Sequence, residues 1–92
     1  MTLQEINDQL ELLRLKELFM SDIKIRSKMA ILLSEECAAE VPPFQEFCEL
    51  THCTPEIATM FTHISLYDVI LTRKEIAAER KRLEKIKHDT LQ

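Results

Sequence analysis

Not one of the 92 residues is glycine, where average usage of roughly 7% would supply about six. Glycine takes positive φ in two-residue hairpins and lets a backbone come close to a phosphate. Its absence removes the glycine-rich loops that bind dinucleotides and phosphates, and it argues against a fold with many tight β turns. The three prolines all lie between residues 42 and 55, so the rest of the chain is free to run as helix. The fold expected from these two facts is all-α, a small bundle of four to five helices with a long C-terminal helix. Residues 1–92 are read as a single helical domain.

A chain of this length buries only roughly 60–65% of the surface its unfolded form exposes, so its stability is marginal or shared with a partner. The apolar fraction of 46% is enough for a core. Thr2 followed by Glu5 makes a capping box, after which Leu3, Ile6, Leu10 and Leu13 repeat at helical spacing. Leu12, Leu15, Leu18 and Phe19 widen that stripe. Near Ser21-Asp22, both able to cap a helix, the stripe shifts to Ile25, Met29, Leu32, Leu33 and Cys37. Residues 3–40 therefore read as one helix or as two hinged near Ser21, and compactness favours the hinge. Val41-Pro42-Pro43 ends this element, because a residue before proline leaves the α region. Pro43 opens a short helix carrying Phe44, Phe47, Cys48 and Leu50. Thr54-Pro55-Glu56 is a second start, with a capping hydroxyl, proline at the first position and an acid at the positive dipole end. Ser65 and Asp68 suggest another capping box. A last helix is expected over 66–89, with Leu66, Val69, Ile70, Ile76, Leu83 and Ile86 turned inward and Arg80, Lys81 and Lys85 outward.

Charge is segregated along the chain. Residues 29–72 contain no lysine or arginine but seven carboxylates, Glu35, Glu36, Glu40, Glu46, Glu49, Glu56 and Asp68. Residues 73–87 carry Arg73, Lys74, Arg80, Lys81, Arg82, Lys85 and Lys87 against three acids. The net charge of −4 provides no overall attraction to nucleic acid or to an anionic membrane. The longest apolar run, Met29 to Leu33, falls far short of the roughly 20 residues of a membrane span. The acidic start lacks the order of a signal peptide, and three cysteines without a secretion signal read as reduced thiols, so a cytoplasmic location is expected.

Three motifs compete with plain helical packing. Residues 44–64 have the length of a helix-turn-helix, two short helices joined at 52–54. Cys53, Ala58 and Phe61 fall at its buried positions, and small Cys48 suits close helix approach. Against it, His52 stands where glycine is usual, and the would-be reading helix offers Glu56, Thr59, Thr62 and His63 with no cation. Phosphate neutralisation supplies most nucleic-acid affinity, so contacts to a duplex would have to come from Arg73, Lys74, Arg80, Lys81 and Arg82. The second motif is Cys48, His52, Cys53 and His63 within sixteen residues. These are zinc-type ligands at a spacing that matches no strong finger pattern. The third is Glu49-Leu-Thr-His52, which has the Glu-x-x-His spacing of di-iron bundles and would need a second copy with Glu36 or Glu40 to complete it. No nucleophile–base pair is evident, so an enzyme is not expected, and neither is a metal or other cofactor.

The reading reached on these grounds is a non-enzymatic protein-interaction module, a small regulator, inhibitor or adaptor. Leu12, Leu15 and Phe19 are expected to supply a homodimer interface, because the first helix is apolar on more than half its circumference. Glu46, Glu49 and Glu56 are expected to meet a protein partner with a basic surface. One version is an inhibitor that presents carboxylates in place of phosphates. The alternative is a helix-turn-helix-like DNA-binding regulator that uses 44–64 with the basic stretch 73–87.

Overall fold

The structure, a computed structural model, describes residues 1–34, 42–64 and 66–92. Every element among them is helical: α1 (Leu3–Ser21), α2 (Ile23–Ser34), α3 (Pro42–Thr51), α4 (Pro55–Thr62), the single turn α5 (Leu66–Val69) and the long α6 (Arg73–Leu91). This is the all-α bundle expected from the missing glycine. Glu35, Glu36, Cys37, Glu40, Val41 and Ser65 lie outside the described residues.

The helix starts are chemically specified. The Thr2 hydroxyl accepts from the Glu5 amide at 3.2 Å, and the Glu5 carboxylate accepts from the Thr2 amide, which opens α1. Residues 3–34 form two helices, broken at Asp22. The Asp22 carboxylate accepts from the amides of Lys24 at 2.9 Å and Ile25 at 3.3 Å. The last turn of α1 holds no cation of its own. Arg26, from the next helix, donates instead to the carbonyls of Phe19 (2.8 Å) and Met20 (3.0 Å). A side chain from α2 thus satisfies acceptors that the end of α1 leaves free, and the hinge is closed from both sides.

Thr54 opens α4 as expected, accepting from the Ile57 amide at 3.3 Å, with Pro55 at the first position. The single helix expected over 66–89 is corrected: the chain makes the turn α5, breaks across 70–72 and restarts at Arg73. The reason is a capping box in the sequence at Thr72 and Glu75. The Thr72 hydroxyl accepts from the Glu75 amide at 3.1 Å, and the Glu75 carboxylate accepts from the Thr72 amide. The break puts Val69 in the core while Ile70, expected inward, is 55% exposed.

The core lies on two faces of α1. Leu12, Leu15 and Phe19 pack with Ile25 and Met29 of α2, Phe44 and Phe47 of α3, Ile57, Ala58 and Phe61 of α4, and Val69. Leu13 packs separately with Ile76 and Leu83 of α6, flanked by Leu10 and Leu71. At about 100° per residue, Leu13 and Leu15 project about 160° apart, so α6 and the α3–α4 corner sit against nearly opposite sides of α1. The surplus apolar surface expected on α1 is therefore corrected. Leu12, Leu15 and Phe19 are only 4%, 0% and 7% exposed within one protomer. A helix flanked on both sides needs an apolar stripe on more than half its circumference, and that accounts for the width of this one.

Candidate functional site

The corner from Pro42 to Thr62 is the most closely specified part of the molecule, and it organises the acidic surface. Phe47 and Phe61 are fully buried and stack with ring centroids 6.0 Å apart, which joins α3 to α4. The turn between them hinges on His52, whose φ of +55° lies in the left-handed region. The Cys53 amide donates back across this residue to the Cys48 carbonyl at 3.3 Å. These two features define a helix C-cap in which a left-handed residue reverses the chain. Glycine would hold that position at least cost; histidine is among the side chains that tolerate it. The buried Thr51 hydroxyl donates to the Phe47 carbonyl at 2.7 Å. Arg14 of α1 donates to the Thr51 carbonyl at 2.8 Å while forming a two-pronged pair with Glu11. α3 has no cation in its last turn, so Arg14 supplies its C-terminal cap from a distant helix.

This arrangement turns Glu46, Glu49 and Glu56 outward. Glu46 and Glu49 line a shallow dimple of about 330 Å³ together with Leu50, which is 44% exposed. Glu49 and Glu56 both act on the Cys48 thiol. Burial first, then the neighbouring Cys53, then these two carboxylates push it up to about 11. Of the three acids expected at a docking surface, Glu46 and Glu49 share this dimple, and Glu56 stands exposed at the start of α4. Met60, also exposed, lies one turn beyond Glu56. Among the described residues the one cation in ion-pair contact with these acids is Lys28 of α2, on Glu46.

The basic stretch is placed differently. Arg80 pairs with Glu17 of α1 and Arg82 pairs with Glu79 within α6, so two of the five cations considered for phosphate contact are already engaged. Arg73, Lys74 and Lys81 are exposed. They ride on a helix that packs on the side of α1 away from the corner, which separates them from the exposed Glu56, Thr59 and Met60 of α4 and from His63 at its end. The zinc candidate is not assembled: Cys48 and Cys53 are half-buried, His52 and His63 are exposed, and no group of three metal-binding side chains converges among the described residues. The di-iron candidate depends on Glu36 and Glu40, outside the described residues. No helix among the described residues is long and apolar enough to cross a membrane.

Arg14 and Arg26, which cap α3 and α1, carry structural roles that spacing alone did not reveal. The missing signal was the absence of any cation in the last turns of the helices they serve. No family model, curated protein or solved structure matches the chain.

Proposed function

We propose that this chain is a non-enzymatic protein-interaction module, a small regulator or adaptor, whose docking face is the acidic outer surface of α3 and the start of α4. The observation that carries the reading is the pair Glu46 and Glu49 around exposed Leu50, with Glu56 acting on the neighbouring Cys48 and Lys28 the one cation paired to these acids among the described residues. Carboxylates around an exposed apolar centre suit a partner with a basic rim and an apolar anchor. The charge steers encounter and selects the partner, and the buried apolar contact holds it. The argument for a homodimer through Leu12, Leu15 and Phe19 falls away, because those side chains are inside the protomer. Light scattering at low and high salt is expected to return a monomer.

A DNA-binding reading keeps one specific observation in its favour, the left-handed turn at His52 between two short helices. The weight of charge opposes it, since α4 offers a duplex Glu56 and no cation. The two readings separate in one experiment. The ¹⁵N-labelled chain is titrated with a short basic amphipathic helix and, separately, with a random-sequence duplex. The peptide is expected to move the amides of Glu46, Glu49, Leu50 and Glu56, with an effect that weakens in salt. Shifts on Thr59, His63 and Lys81 caused by the duplex, with none caused by the peptide, would overturn the proposal.

A further inference from the structure

Around the His52 turn, the chain folds one cysteine back onto another. Cys48 occupies the last turn of α3 and Cys53 the second position past its cap. Their backbones are joined by the 3.3 Å hydrogen bond from the Cys53 amide to the Cys48 carbonyl. In this type of helix end the side chains of the two residues so joined commonly pack together, and Cys53 is among the groups that push the Cys48 thiol up. The Thr51 hydroxyl lies 3.1 Å from the Cys53 sulfur and keeps it oriented. Both cysteines are reduced and half-buried, so a small reagent can reach them. A disulfide asks for Cα atoms about 4.4–6.8 Å apart and converging Cβ vectors; a direct backbone bond between the two residues keeps them at close range without moving a helix.

We infer that Cys48 and Cys53 form a reversible disulfide site, oxidised by small-molecule disulfides and preferentially by cationic ones. One thiolate attacks the reagent disulfide, forming a mixed disulfide and releasing one thiol. The second cysteine then attacks the protein sulfur of that mixed disulfide. This forms the Cys48–Cys53 bond and releases the second thiol, so two protein S–H bonds are exchanged for one S–S bond while the reagent is reduced to two thiols. Closure is intramolecular and the two residues are already joined by a backbone hydrogen bond, so the mixed disulfide does not accumulate. The preference for cationic reagents follows from Glu49 and Glu56, whose charges reach the Cys48 sulfur. They attract a cation and repel an anion as it approaches.

The test uses the full chain carrying Cys37→Ser, which leaves the two cysteines alone. Cystamine (cationic) and oxidised glutathione (anionic) are added separately, and the products are followed by intact mass and peptide mapping. The expected product is the Cys48–Cys53 cross-link, with the loss of two hydrogens and full recovery on adding a reducing thiol. Cystamine should react several-fold faster than oxidised glutathione. The gap should narrow in high salt and in the Glu49→Gln/Glu56→Gln variant. A persistent mixed disulfide on either cysteine, a cross-link between two chains, or native protein that stays unreacted while unfolded protein reacts would each overturn the site. Equal rates for the two reagents at low salt would overturn the charge preference. The single variants Cys48→Ser and Cys53→Ser should stop at one mixed disulfide each; loss of fold in both would be seen by circular dichroism, and the cross-link in the parent would then decide alone.

Discussion

The α3–α4 corner and α6 are built on opposite plans. The corner is short, and its two helices bury Phe44, Phe47, Ile57, Ala58 and Phe61 against α1 and α2. α6 is nineteen residues long yet fully buries only Ile76 and Leu83. The corner carries exposed acids, Glu46 paired with Lys28, on a surface held by aromatic stacking and by Arg14. α6 carries its charge on a helix that runs along α1 with few fully buried side chains and the Arg80–Glu17 pair. Density of packing, rather than length of helix, decides which surface is presented in one fixed arrangement. Burial of apolar area is the main stabilising term, and exposed ion pairs add little.

The largest effect should come from the corner. Phe47→Ala removes a fully buried ring and its stacking partner's contact, and a loss of about 3–5 kcal/mol is expected in urea unfolding. For a chain this small that approaches the total stability. Leu83→Ala empties the centre of the small buried cluster between α1 and α6 and should cost about 2–3 kcal/mol, the lower part of the range for such changes, because its half-exposed neighbours can collapse around the gap. The sharper readout is hydrogen exchange. Protection should fall along α6 while Phe47 and Phe61 remain protected; uniform loss in both regions would mean that corner and α6 unfold as one unit and would erase the contrast.

A smaller change should act in the stabilising direction. His52 pays for a left-handed backbone, so His52→Gly should raise stability by about 0.5–1 kcal/mol, the relief of side-chain strain less glycine's entropy. A destabilised variant would show that the histidine side chain itself holds the turn. The smallest effect concerns pH. The hydrogen bonds from Arg14 hold the Glu11 carboxyl below its ordinary value of 4.5, and those from Arg82 do the same for Glu79. A lowered folded pKa stabilises the fold above the unfolded value, and the contribution is lost as pH falls through the folded one. Thermal unfolding followed from pH 7 down to acid should therefore be less pH-sensitive in Glu11→Gln. Glu79→Gln should alter it less, because Arg82 is exposed and the pair lies within α6. Equal effects would show that Arg14's bond to Thr51 adds nothing to the pair.

Much of the fold was legible in the residues. Thr2 with Glu5, Asp22, and Thr54 with Pro55 each start a helix through chemistry confined to four neighbours, and each behaves as its spacing implies. Thr72 with Glu75 was equally legible but hidden inside an apolar pattern that seemed continuous from Leu66 onward. Among the candidate site residues, Glu46, Glu49 and Glu56 each face solvent because α3 and α4 each have one clear apolar face. Leu12, Leu15 and Phe19 misled because a wide stripe fits two situations, a helix with a docking face and a helix packed between neighbours, and periodicity treats them alike.

The sequence by itself determined the helical class, the helix starts and the segregation of charge, since these depend on backbone permissiveness and on residues within one turn of each other. Only the tertiary structure decided that α1 is flanked on both sides, that Arg14 and Arg26 cap other helices, that the acids and the basic helix lie on separate faces, and that Cys53 bonds back to the Cys48 carbonyl across a left-handed histidine. Each of these depends on where one element stops and on which face of α1 the next one covers, a choice made by the sum of many weak packing contacts that no local spacing records.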